Sequence, residues 1–278
     1  MGADIMRKIL VLNLIVLAFL LTANTNPIVE ASTQGSPLLI SPQDTYQQSI
    51  TVEREADYAI HFWVQGDEPN AVLSLTVRLV NSRGSQVGLT QVYRGIGSVE
   101  DWYPLGVEFA TPKDVKEAQF IIGTDRVGAY RWDGLTVVKL DKSPDGVREF
   151  WERKFEQYGQ VYTGLVVDAR GLGLKRGMSP RILSETGQLI YGGVTASLDY
   201  VQNVGLVGYG RELTPQLLTR IQVDESYPLA IPLIIEGVEV RDPAQTNVAI
   251  SSESAQRVLA ALAAYDFLAR FAVIILVD

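Results

Sequence analysis

The chain has no cysteine and a single histidine, His61, among its 278 residues. Lack of cysteine excludes disulfides, a thiolate nucleophile, zinc ribbons and iron–sulfur ligation together. One histidine excludes a three-histidine metal site, and a Ser-His-Asp relay would have to run through His61. Basic residues are also short, 24 Lys+Arg against 32 Asp+Glu, a net charge of −8. Sequence-independent nucleic-acid binding needs many cations on phosphates, so no nucleic-acid partner is expected. The N-terminal apolar run, Ile9 to Leu21, is 13 residues long and is broken only by Asn13. A membrane span needs ~20. What is present is a globular composition, 47% hydrophobic and 20% charged, which excludes wholesale disorder. Its length suggests about two domains.

Residues 1–31 read as an export signal. Arg7 and Lys8 form a positive start, the apolar run follows, Pro27 breaks it, and Val29-Glu30-Ala31 offers small residues for cleavage before Ser32. The expected location is periplasmic or secreted in a bacterium, with no stable transmembrane span once the signal is removed. Kept, the same run would be an anchor.

Residues 37–141 carry period-2 patterns. Tyr58, Ile60, Phe62 and Val64 alternate with Ala59, His61, Trp63 and Gln65, and similar runs cover 73–79, 103–109 and 118–122. Turn clusters at 66–70, 81–84 and 111–114 separate them. Short strands at that spacing predict a sandwich or jelly roll over 38–141. Over 143–159 the period changes to 3–4: Ser143 or Asp145 caps a helical linker, Val147, Phe150/Trp151, Lys154/Phe155 and Tyr158 form its stripe, and Gly159 ends it. Residues 160–278 are mixed. They read as a buried strand from Val161 to Val167, a hairpin around Glu185-Thr186-Gly187 and a weak helix at 213–221. Strands at 229–240 and 247–251, a Ser251-capped helix over 253–268 and a last strand at 271–277 follow. The fold class is two domains, an all-β jelly-roll sandwich followed by an α/β (α+β) domain.

Four segments, TVEREADYAIHFWVQG, LSLTVRLVNSRGSQV, DWYPLGVEFATPKDVKEAQFIIGT and YRWDGLTVVKL, resemble a carbohydrate-binding-module jelly roll of the galactose-binding-like class over residues 38–141. The resemblance implies a sandwich, with sugar binding as one use of it. Related jelly rolls often hold a structural calcium at the place of Asp133, but calcium needs six or more oxygen ligands and the usual partners near the N-terminal strand are not recognisable. Asp133 therefore reads first as a solvated loop carboxylate and no cofactor is expected, with a structural calcium second. In the second half, YTGLVVDARGLGLKRGMSPRILSETGQLIYG (162–192) is similar to a segment of Gram-negative envelope proteins, including outer-membrane lipoproteins and flagellar ring-accessory proteins. That implies an assembly role. The lipidated cysteine of such lipoproteins is missing.

Candidate site residues follow from these patterns. Trp63 and His61 lie opposite the inward set of their strand, and Trp102 lies opposite Tyr103, Leu105, Val107 and Phe109. These tryptophans read first as packing under loops or against the second domain; second, a flat indole can stack on a pyranose, with Arg78 and Gln119 supplying hydrogen bonds. Asp168 and Arg170 follow a buried strand and read first as an ion pair fixing the Gly171-Leu172-Gly173 turn, second as a catalytic carboxylate held ionised. No triad or metal constellation is legible, and no catalytic residue is assigned. The expectation is an exported, non-catalytic envelope protein with an assembly role, with carbohydrate binding and an unrecognised hydrolase as alternatives. Partners would be envelope proteins or a glycan, or a second copy in a homo-oligomer.

Overall fold

The computed structural model describes residues 29–31, 37–193, 195–196 and 205–278. The leader expected at 1–31 therefore lies outside the described residues except for its end. Val29–Ala31 (β1) pairs antiparallel with residues 135–137, so cleavage before Ser32 would remove a paired strand.

Eight further strands build the first domain: β2 (Leu38–Ile40), β3 (Tyr46–Thr51), β4 (Asp57–Gly66), β5 (Val72–Asn81), β6 (Gln86–Gly95), β7 (Tyr103–Ala110), β8 (Val115–Thr124) and β9 (Gly128–Lys139). They pair into two antiparallel sheets, β2-β9-β4-β7 and β3-β8-β5-β6. Consecutive strands fall on opposite sheets except at the β5–β6 hairpin, which is the jelly-roll order. Side-chain alternation explains the layering. Tyr58, Ile60, Phe62 and Val64 of β4 and Leu73, Leu75, Val77 and Leu79 of β5 are all buried. They meet Phe109, Phe120 and Tyr130 between the sheets, where the Tyr58 and Phe109 rings stack 5.7 Å apart. Residues between them in sequence face outward, so each sheet has a second face whose fate the alternation alone leaves open.

The linker is helical as expected. Helix α1 (Pro144–Tyr158) starts where the Ser143 hydroxyl accepts from the Gly146 amide, and it stops at Gly159, whose φ of 71° suits a residue without a side chain. Trp151 and Lys154 of its stripe are buried.

The second domain has one seven-stranded mixed sheet, in the order β12-β11-β16-β15-β10-β17-β14. These are β10 (Gly164–Asp168), β11 (Ile182–Ser184), β12 (Leu189–Tyr191), β14 (Gly208–Gly210), β15 (Pro232–Val240), β16 (Val248–Ile250) and β17 (Val273–Leu276), while β13 (Thr195–Ala196) leaves it for the jelly roll. Central β10 runs parallel to β15 and β17 and has both faces buried, which accounts for its unbroken apolar sequence. The expected hairpin is β11–β12, turning at Gly187 with φ 88°. The α/β expectation needs correcting: among the described residues of this domain helices are few, α2 (Pro215–Leu218) and α3 (Ser252–Leu262). The connections that would carry others contain Gly171, Gly173, Gly177, Pro180 and Pro228, which disfavour helix. Helix α3 also ends six residues before the expected Leu268. Asp266 takes over there, its Oδ1 accepting from the Leu268 and Ala269 amides to start a separate 3-10 turn, Phe267–Arg270. No helix among the described residues is long and apolar enough to cross a membrane.

The two domains share one hydrophobic core cluster, reaching from Phe62 and Leu105 to Val166 and Ile275. They are also stitched through backbone. Strand β13 adds to the edge of β6, with Thr195 opposite Gln91 and Ala196 opposite Thr90. Gln188 donates to the Gly95 carbonyl at 3.0 Å. A Cβ on Gly95 would sit 2.5 Å from the Leu189 nitrogen, so only glycine permits this approach.

Candidate functional site

The outward faces of the two jelly-roll sheets have opposite environments, and the sequence-predicted sugar residues are divided between them. Arg78 of β5 and Gln119 of β8 are cross-strand partners on the outer face of β3-β8-β5-β6. Arg78 Nε donates to Gln119 Oε1 at 2.8 Å, and Gln119 Nε2 donates to Glu117 Oε1 at 2.8 Å. Hydrogen bonds from Gln119 and then Ser49 hold the Glu117 carboxyl below its ordinary range. Thr76, Gln91 and Tyr93 share this face, and all six are half-buried, as members of a solvated sheet face are.

His61 and Trp63 point the other way, out of β2-β9-β4-β7, and both are only 7% exposed. Their rings meet edge-on with centroids 6.0 Å apart. This face is roofed, so Trp63 is packed and is no solvated sugar platform, and its indole N–H has no acceptor among the described residues. Trp102, half-buried just before β7, is not joined to Arg78 or Gln119, which belong to the opposite sheet. Asp133 accepts from the neighbouring Gly134 amide at 2.9 Å. No group of three or more His, Asp or Glu side chains converges among the described residues to complete a calcium shell around it. Asp168 and Arg170 form the expected bidentate pair, which keeps the Asp168 carboxyl below its ordinary range. Gly171 and Gly173 adopt φ of 79° and 70° beside it, and the Gly171 amide donates to Asp278.

The roof over the β4/β7/β9 face is helix α1 plus the 3-10 turn of the second domain, and they enclose charged groups that the sequence patterns did not single out. Asp266 Oδ2 lies 3.9 Å from His61 Nε2, and its Oδ1 lies 4.0 Å from Arg94 Nη2. Arg94, buried at an inward position of β6, also donates to the Pro104 and Ile190 carbonyls, bridging the domains. Asp266 Oδ2 accepts no hydrogen bond among the described residues. Burial pushes the Asp266 carboxyl up to about 6 against the pull of Arg94. It pushes His61 down to about 3, with the charges of Lys154 and Arg94 adding to the effect. Lys154 falls to about 8 through burial alone. Its ammonium donates to the Ala264 carbonyl at 2.9 Å and sits 5.6 and 5.2 Å from the Phe150 and Tyr158 ring centres. Above this cluster opens a cleft of about 240 Å³, walled by the jelly-roll sheet, α1 and the 3-10 turn. Phe150 and Tyr265 form one corner with rings 6.1 Å apart at 70°. Glu108 stands opposite, between the Tyr265 hydroxyl and Lys142, each at 3.4 Å.

No curated protein matches the chain. Among solved structures, the one titled "CBM4 structure and function" is 15% identical at a TM-score of 0.30, covering 42% of this chain and 79% of that one. The CBM22-1 xylan-binding domain of Paenibacillus barcinonensis Xyn10C is 15% identical at 0.30, covering 41% of this chain and 86% of that one. The CBM22-1-GH10 modules of Clostridium thermocellum xylanase 10B, complexed with xylohexaose, are 10% identical at 0.33; there 52% of this chain spans 33% of that one. Residues 164–278 match the family model described as Treponema pallidum Tp0624, second domain.

Proposed function

We propose that the protein is exported and binds a glycan without catalysis, using the outer face of β3-β8-β5-β6. One observation carries this reading: Glu117, Gln119 and Arg78 are locked to one another in a row across β8 and β5. Saccharide recognition needs donors and acceptors already fixed in place, because each side chain ordered on binding costs ~0.5–1.5 kcal/mol. In this row the ordering is done by the fold. Tyr93 of β6 adds an aromatic ring on the same face, opposite Ser74 and four residues along β5 from Arg78. The envelope-assembly role rests on the expected export, on the poverty of catalytic residue types and on the resemblance of residues 162–192.

The test is a polysaccharide panel (xylan, cellulose, β-glucan, peptidoglycan) in affinity electrophoresis with the full chain. Retardation on at least one polymer, lost in Gln119→Ala and Arg78→Ala, supports the reading. No retardation on any polymer, or retardation that both variants keep, overturns it.

A further inference from the structure

The geometry points to a second site: the cleft between the domains binds one uncharged, polyhydroxylated molecule of about the bulk of a single hexose. This stands apart from the sheet-face reading, and either can fail alone.

Size is the first constraint. The cleft's 240 Å³ has room for one sugar ring with its hydroxyls. Charge is the second. Every Lys and Arg bordering the cleft is already engaged inside the protein, Lys139 by Glu53 and Arg153 by Glu149 among them. Lys154 is held by the Ala264 carbonyl, Arg270 by the Val223 and Gln222 carbonyls, and Lys142 by Glu108. An anionic ligand would have to displace Glu108 from Lys142. An ammonium ligand would face Lys154 and Arg270. A neutral ligand disturbs neither.

Spare hydrogen-bonding capacity is the third. Glu108 has two contacts, from Lys142 and Tyr265, on a carboxylate that can accept about four. Asp266, in the cleft floor, has a side chain 4% exposed and an Oδ2 that accepts nothing among the described residues. Such an acceptor is costly to bury and is normally supplied with a donor. Hydroxyls supply donors without charge. The Phe150–Tyr265 corner gives the apolar face of a pyranose a surface to rest on. The mouth is at Lys142 and Glu149, both exposed, so a small ligand can enter without parting the domains.

The experiment titrates the full chain with methyl β-D-glucopyranoside, methyl α-D-mannopyranoside and methyl N-acetyl-β-D-glucosaminide. Glucuronate and glucosamine serve as anionic and cationic controls, and the readout is calorimetry together with the fluorescence of Trp151, which borders the cleft. At least one neutral glycoside is expected to bind with a millimolar or tighter Kd, at least tenfold better than both charged analogues. Phe150→Ala and Glu108→Gln should each weaken it about tenfold, while Gln119→Ala leaves it unchanged. Glu108→Gln keeps the shape but replaces one acceptor oxygen with a donor, so it serves if Phe150→Ala folds poorly. Failure of all three glycosides, equal binding of the charged analogues, or sensitivity to Gln119→Ala instead of the cleft variants overturns the assignment. Polymer retardation should survive in Phe150→Ala whether or not the glycosides bind, so failure of the cleft assignment leaves the sheet-face reading standing.

Discussion

One jelly roll presents two outward faces made by the same alternation, yet polar groups on them obey different physics. On the β3-β8-β5-β6 face, Arg78, Gln119 and Glu117 stay in contact with solvent, where such pairs contribute ~0–1 kcal/mol because water competes for every charge. On the β4/β7/β9 face the second domain and α1 bury the polar groups. There the same residue chemistry gives a carboxyl at about 6, an ammonium at about 8 and an imidazole at about 3. The lesson is that position on a strand decides which way a side chain points. What lies beyond that face decides whether it is a replaceable surface group or part of the seam.

That contrast can be broken most forcefully at Arg94. Arg94→Met should cost about 3–5 kcal/mol in urea denaturation, since it leaves Asp266 buried beside no fixed cation and frees the Pro104 and Ile190 carbonyls. A cost below about 1 kcal/mol would show that the seam behaves like surface. Gly95→Ala comes next, expected at about 1–3 kcal/mol because its Cβ meets the Leu189 backbone.

Acid sharpens the comparison, since the seam holds two opposed titrations. The raised Asp266 pKa means that the fold gains stability from this group as pH falls from above about 6 towards the ordinary 3.8. The lowered His61 pKa means that the fold loses stability as pH falls below the ordinary 6.5 towards about 3. In the native protein the two nearly offset. Relative to it, Asp266→Asn should lose roughly 1–2 kcal/mol more stability between pH 7 and pH 5, and His61→Gln should lose roughly 1–2 kcal/mol less. Unfolding midpoints at both pH values read this out, and parallel behaviour of the two variants would contradict it. The smallest effect belongs to the open face: Arg78→Ala should change stability by less than about 1 kcal/mol while removing polymer retardation.

Much of the architecture is legible because burial on one face leaves a period in the sequence. The strands at 58–64, 73–79, 103–109 and 118–122, the Ser143 and Ser251 caps and the β11–β12 hairpin all lie where their residues imply. The division of the candidate site was not legible. Trp63 and Arg78 both occupy outward positions, and nothing local to either strand says that a segment some 200 residues later covers one of them. Two signals did exist. Arg94 has the same parity as inward-facing Val92, and Lys154 falls within the apolar stripe of α1. A charge at an apolar position marks a buried partner to be found, here Asp266 for Arg94 and the Ala264 carbonyl for Lys154. Asp266 itself sits in an ordinary Tyr-Asp-Phe stretch that period-3.6 reasoning absorbed into a longer helix.

The short strand β13 has a consequence for anyone dividing this chain. It pairs with Thr90 and Gln91 on the lateral rim of β6, a ten-residue strand. A fragment truncated after the linker would bare that row of amides and carbonyls together with the flat Gly95 contact surface. An excised jelly roll should therefore self-associate rim to rim, whereas the full chain carries its own stopper.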